Sequence, residues 1–195
     1  MIAKAGAIIL ESAFKGGIHP EDIHIAGHSL GGQLMSFLAK DFKKLTNQAI
    51  GRFTPLDAAG PLFDECPAGS RTDKSDAGYV DFIHTDSGKL PALSMAAAVG
   101  HADFYINDGR HQPGCPEVAL DTNCDHQRAV QLWTSSFYDS CIACPCQSYD
   151  DLMNEMCDFC ISQNNVGYWS VKKSEEPITY YIRTTDKAPY CKYGP

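Results

Sequence analysis

Apolar residues recur at helical spacing in the first part of the chain. Residues 2–14 carry them three and four positions apart and are followed by Gly16, which predicts a helix that ends at a glycine. Residues 23–26, "IHIA", alternate as a strand does. From residue 30 onward, apolar residues four positions apart predict a second helix: Leu34, Leu38 and Phe42. The predicted order is therefore helix, strand, glycine-containing turn and helix.

Later segments rich in β-branched and aromatic residues predict further strands, at residues 51–56, 78–85 and 178–185. Residues 126–137 predict a helix with apolar positions on one face. This alternation of strands and helices predicts an α/β sheet domain. Only about four strands can be counted, and a sheet usually has more. The cysteine-rich residues 139–165 are interpreted as a loop-rich region within the domain.

Composition excludes several classes of protein. The chain has 195 residues, of which 44% are apolar and 21% charged, as expected for one globular domain. The net charge of −8 is spread along the chain, which argues against nucleic acid as a partner. The longest apolar runs, residues 5–10 and 93–100, are shorter than the roughly 18 residues of a membrane span. We therefore predict no transmembrane segment.

The chain contains nine cysteines, which favours an oxidising compartment with disulfides. The odd number leaves at least one cysteine without a partner inside the chain. The first residues lack the features of a secretory signal, so we expect an N-terminal part to be missing. Two Cys-x-x-Cys pairs would indicate a zinc site in a cytosolic protein: Cys141 with Cys144, and Cys157 with Cys160.

The turn after residues 23–26 reads "GHSLGG" and places Ser29 between glycines, at a strand-to-helix junction. A serine hydroxyl is a poor nucleophile and needs a base, which in turn needs a carboxylate partner. In α/β hydrolases these residues follow in the order serine, acid, histidine. Asp57 follows a predicted strand, and His126 lies where a predicted helix begins. Ser29, Asp57 and His126 are therefore the predicted triad, and the Leu30 N–H is a predicted oxyanion donor.

Several segments in register resemble the pancreatic-type lipases, a family that includes secreted lipases and sn-1 phospholipases. They are "IHIAGHSLGG", "GRFTPLDAAGPLF", "RTDKSDAGYVDFIHTD", "GHADFYINDG", "CDHQRAVQLW" and "YYIRTTDKAPYC". The resemblance implies an α/β-hydrolase fold, with a central, mostly parallel sheet flanked by helices. Residues 1–195 would form the C-terminal part of a single lipase domain that lacks its N-terminal strands.

The resemblance also implies a function. We expect hydrolysis of carboxylic ester bonds in a lipid or phospholipid at an interface, by a secreted, extracellular protein that needs no cofactor for catalysis. It favours disulfides over zinc at the four Cys-x-x-Cys residues. One alternative is an inactive lipid-binding or storage protein, like the yolk proteins that this family resembles. The other is a zinc-binding interaction module.

Two further features follow from the resemblance. In the family, the loop "RTDKSDA" holds a structural calcium ion, here with ligands from Ala68, Arg71, Asp73 and Asp76. The cysteines at positions 115 and 124 close a disulfide around the lid. Because only eight residues separate Cys115 from Cys124, a lid helix of two turns does not fit. We therefore expect a permanently open site, which favours an sn-1 phospholipase over a triacylglycerol lipase.

The sequence departs from the family pattern at Gly32, where many members have alanine, and at Pro55 and Ala58. The N-terminal strands of the family and the loop that supplies the second oxyanion donor have no counterpart before Met1. We therefore expect the chain alone to be poorly active, and to aggregate because a sheet edge and apolar faces are left bare. Among the other histidines, His28 is predicted to pack beside the serine. His84 and His101 are predicted to be structural or to line a substrate pocket.

Overall fold

The computed structural model describes residues 1–88, 92–116, 122–157 and 160–191. Within these residues the chain forms a sheet of seven strands in the order β1-β2-β3-β4-β7-β5-β6. The strands are β1 (His24–His28), β2 (Ile50–Leu56), β3 (Ala77–His84), β4 (Ala102–Ile106), β5 (Ile142–Pro145), β6 (Asn164–Asn165) and β7 (Ile178–Ile182).

The sheet is mixed but mostly parallel. Strands β1 to β4 and β7 pair in parallel, and β5 pairs antiparallel with both β7 and β6. The predicted α/β fold with a mostly parallel sheet is confirmed. Strands β4, β5 and β6 were not predicted. For β5 and β6 the reason is that they are very short and lie among cysteines and polar residues. Residues 139–165, interpreted as loop-rich, thus contribute two strands and a short helix to the domain.

Helices cover both faces of the sheet. They are α1 (Ile2–Lys15), α2 (Leu30–Thr46), α3 (Thr122–Ser135) and α4 (Tyr149–Met153). Successive strand residues point to opposite faces, so Val80 packs with the α1 and α2 residues whereas Tyr79 packs with those of α3. The helix predicted at residues 126–137 is observed as α3, which both begins and ends earlier in the chain than predicted.

Four disulfides cross-link the second half of the chain: Cys115–Cys124, Cys141–Cys191, Cys144–Cys160 and Cys146–Cys157. All four cysteines of the Cys-x-x-Cys pairs are therefore bonded to sulfur and cannot serve as thiolate ligands for zinc. The unpaired cysteine is Cys66. Among the described helices, none is long and apolar enough to cross a lipid bilayer.

Candidate active site

Ser29 forms the turn between β1 and α2 by itself. Its backbone has φ 57° and ψ −127°, a conformation that residues with a side chain rarely adopt. The turn is held from both sides, since Ser29 N–H donates to the Leu56 carbonyl at 3.1 Å and Ala59 N–H donates to the Ser29 carbonyl at 3.1 Å. A strained strand-to-helix turn of this kind exposes a serine hydroxyl above the carboxyl end of a parallel sheet.

Close packing explains two of the glycines at this turn. A side chain at Gly27 would overlap the backbone of Gly31. At Gly32, a Cβ atom would lie 2.6 Å from the Cβ of Ala58. Gly31 differs, because apart from its chain neighbours and the backbone of its own helix, no atom of the described residues lies within 4 Å of the position its Cβ would take. Gly32 and Ala58, two positions at which the sequence departs from the family pattern, are therefore packed against each other.

Asp57 follows β2 at the same edge of the sheet and is fully buried. One carboxylate oxygen, Oδ1, accepts hydrogen bonds from the backbone N–H groups of Thr85 at 2.6 Å and Asp86 at 3.1 Å. The other oxygen, Oδ2, lies 2.6 Å from Nδ1 of His126. A carboxylate can only accept at this contact, so the His126 Nδ1 atom carries a proton.

His126, in the first half of α3, is buried beside the serine turn. The ring of His28, the residue before Ser29, lies 4.3 Å from the His126 ring, and His28 Nε2 donates to the His126 carbonyl at 3.0 Å. Burial lowers the pKa of His28, as expected for a histidine that packs beside the turn. The second ring nitrogen of His126, Nε2, is buried and has no hydrogen-bond partner among the described residues, Ser29 Oγ included.

Asp86 is a member of this site that sequence reasoning missed. Ligand atoms of Asp57, Asp86 and His126 lie within 4.8 Å of one another. Burial, with a contribution from the Asp57 charge, raises the pKa of Asp86 to about 6. Because both Asp57 oxygens and His126 Nδ1 are already hydrogen-bonded, the cluster is not a vacant metal site. Asp86 follows β3 by two residues, at the sheet edge that holds Ser29 and Asp57, and this position in the sequence could have indicated that it belongs to the site.

His84 and His101 make structural contacts. The His84 ring is fully buried and stacks between Phe82 and Tyr105, with centroids 3.9 and 4.3 Å away. Its Nε2 atom lies 2.8 Å from an oxygen of Asp103. His101 accepts a hydrogen bond from the Val80 N–H at 3.0 Å. These contacts place both rings in the scaffold below the site.

Three of the four residues predicted to bind calcium have other hydrogen-bond partners for their oxygens. Asp76 and the Arg71 carbonyl both accept hydrogen bonds from the Lys40 ammonium. The Asp73 carboxylate accepts the Ser75 N–H at 3.0 Å, and Ala68 begins a short 3₁₀ turn. An ammonium and a calcium ion cannot share the same buried oxygens, so the residues in this arrangement do not fit the ion.

The lid region is described only in part. The predicted Cys115–Cys124 disulfide is present. Residues 117–121, on which the prediction of an open site depends, lie outside the described residues. A separate cavity of about 880 Å³ lies beside β5 and β7, and Ser29, Asp57 and His126 are not among its lining residues. We therefore assign that cavity no part in the chemistry of the site.

A mostly parallel sheet with helices on both faces and a serine turn at the end of a strand is the architecture of an α/β hydrolase. A family model described as "Lipase" matches residues 5–190. The chain thus belongs to the lipase family.

Curated relatives include Lipase member H of Danio rerio, 39% identical over 194 residues, and Lipase member H of Oryctolagus cuniculus, 38% identical over 192 residues. Phospholipase A1 member A of Bos taurus is 34% identical over 191 residues. These alignments cover 91%, 89% and 90% of this chain, but only 41%, 41% and 40% of the relatives. The chain spans about two-fifths of their length.

Proposed function

We propose that this chain carries the catalytic residues of a serine hydrolase that cleaves carboxylic ester bonds of lipids. The observation that carries the proposal is the 2.6 Å contact between His126 Nδ1 and Asp57, which leaves His126 Nε2 without a partner among the described residues. The His126 ring packs on His28, the residue before the strained Ser29. Since Nδ1 holds the proton, Nε2 has the free electron pair that a general base needs.

In the proposed reaction, His126 Nε2 takes the proton of Ser29 as Ser29 Oγ bonds to the ester carbonyl carbon. The Leu30 N–H has no acceptor within its own helix, because Leu30 is the first residue of α2, and it donates to the developing oxyanion. The alcohol leaves with the proton from His126. Water, activated by the same nitrogen, then releases the fatty acid and restores the Ser29 hydroxyl.

Among lipid esters, we favour the sn-1 ester of phospholipids over triacylglycerol. Support comes from the short segment between Cys115 and Cys124 and from a relative that is named a phospholipase A1. A lipid or phospholipid at an interface would be the substrate. Four disulfides suit an extracellular, secreted protein.

The first test, made on a full-length version of the protein, is covalent labelling with a fluorophosphonate, together with turnover of nitrophenyl butyrate. We expect the label on Ser29, and Ser29→Ala should reduce kcat/KM by at least about 10³-fold. Ser12→Ala, which changes an exposed serine of α1, should leave both measurements unchanged. Normal turnover by Ser29→Ala would refute the triad, and lipid binding without labelling or turnover would favour the inactive alternative.

The second test compares phosphatidylcholine with long-chain triacylglycerol, each below and above its aggregation threshold. We expect faster hydrolysis of the phospholipid and no jump in rate at the threshold, because eight residues between two cysteines are too few for a lid helix of two turns with hinges. Strong interfacial activation together with a triacylglycerol preference would overturn the substrate assignment.

A further inference from the structure

The Lys40 ammonium lies in a cage of oxygens between α2 and residues 71–76. It donates to Ser36 Oγ at 2.7 Å, to the Arg71 carbonyl at 2.7 Å and to a carboxylate oxygen of Asp76. A lysine ammonium has three N–H donors, and each of them has a partner here. The Asp76 carboxylate has no exposed surface, and the Lys40 side chain is only 14% exposed.

Two more hydrogen bonds satisfy the remaining polar atoms of this cage. The second Asp76 oxygen accepts a hydrogen bond from the Asp73 N–H at 3.0 Å. The Ser36 hydroxyl donates to the Arg71 carbonyl at 3.1 Å. The positive charge of Lys40 balances the negative charge of Asp76. The cage is therefore satisfied in both hydrogen bonding and charge without any added ion.

A calcium ion at this position would need six to eight oxygen ligands at about 2.3–2.6 Å. Two of the predicted ligands, the Arg71 carbonyl and the Asp76 carboxylate, already bind Lys40. A calcium ion would displace the ammonium from these oxygens and place a second positive charge next to it in a buried space. Burial penalises an unpaired ammonium strongly, so this exchange is unfavourable.

We propose that the Lys40 side chain is the built-in cation of this loop and takes the place of a bound calcium ion. The loop is then attached to the helix that follows Ser29 whether or not calcium is present. A second attachment lies about two turns closer to Ser29 than Lys40 does. There Gln33 Oε1 accepts the Thr72 N–H at 2.9 Å and Gln33 Nε2 donates to the Ala59 carbonyl at 2.8 Å. The proposal does not depend on the proposed catalytic activity.

The decisive measurement is thermal unfolding of the unmodified chain in millimolar calcium and in EGTA, with calorimetric titration of calcium. A calcium site at one hundred times its Kd would raise Tm by roughly 5–10 °C in a chain of this size. We expect equal Tm values in the two buffers and no stoichiometric binding of calcium. A calcium-dependent rise of that size, lost in Asp76→Asn, would overturn the proposal.

A pair of variants tests the role of the ammonium itself. Lys40→Met keeps most of the aliphatic chain but leaves Asp76 buried without a cation, and should lower Tm by roughly 6–20 °C. Lys44→Met removes an exposed lysine of the same helix and should leave Tm unchanged. An unchanged Tm in Lys40→Met would refute the role of Lys40, and the calcium titration of the unmodified chain decides the question even if this variant does not fold.

Discussion

Replacing Asp57 by asparagine tests the proposed catalytic chemistry at its most buried group. Asp57 Oδ1 faces two backbone donors, the N–H groups of Thr85 and Asp86. The amide NH₂ of an asparagine cannot point at these donors, so it must point at His126. His126 Nδ1 then becomes an acceptor, and the ring proton moves to Nε2. The nitrogen that should receive the Ser29 proton is thereby blocked.

The expected loss of rate follows from this exchange of tautomers. A base held in the wrong tautomer costs about 10⁴-fold in kcat, or about 5 kcal/mol of transition-state stabilisation. Stability should change by only about 1–2 kcal/mol, because the asparagine still makes hydrogen bonds to Thr85, Asp86 and His126. The assays are hydrolysis of nitrophenyl butyrate, urea unfolding, and the nitrogen chemical shifts of His126 by NMR.

Asp81→Asn is the matched control, since Asp81 is also fully buried and lies on the neighbouring strand β3. It binds Arg52 through both carboxylate oxygens, at 3.0 and 2.7 Å. Removing its charge leaves the Arg52 guanidinium buried without a counter-charge, which costs about 3–5 kcal/mol of stability. The rate of the folded protein should be kept. If Asp57→Asn retained more than a tenth of the rate, or kept the proton on His126 Nδ1, the reasoning would be wrong.

Two further predictions concern the surroundings of Ser29. Gly32→Ala should destabilise the fold by about 1–3 kcal/mol in urea unfolding, because the added methyl group overpacks against Ala58. Gly31→Ala, where the added methyl group meets open space, should be neutral or stabilising by up to about 1 kcal/mol. Equal effects of the two substitutions would refute the packing argument. The pKa of Asp86, raised to about 6, means that the folded state holds its proton more tightly than the unfolded state. The contribution of Asp86 to the free energy of unfolding should therefore fall as pH rises from about 4 to 6. Asp86→Asn should be more stable than the unmodified chain at pH 7 by up to about 3 kcal/mol but equally stable near pH 4; a difference that does not vary with pH would contradict this.

The local pattern of the sequence was sufficient for α1, α2 and the strands that precede Ser29 and Asp57. Helical spacing and alternation depend on neighbouring residues alone, so they can be read without a fold. The order of Ser29, Asp57 and His126 along the chain was also visible. That Ser29 and Asp57 lie at one sheet edge followed from parallel strands, whose carboxyl ends lie together, whereas the packing of α3 brings His126 to Asp57.

The tertiary structure alone decided other features. Strands β5 and β6 are too short to carry a period. They form because β7 offers β5 a pairing edge and the Cys141–Cys191 disulfide links this segment to the residues that follow β7. The partner of Lys40 could not be predicted from the helix sequence, in which Lys40 resembles the exposed lysines Lys43 and Lys44. The Arg71 carbonyl is 31 residues away in sequence. A backbone carbonyl carries no sequence signal, so the choice between a metal ion and a lysine at this loop belongs to the packing of α2 against residues 71–76.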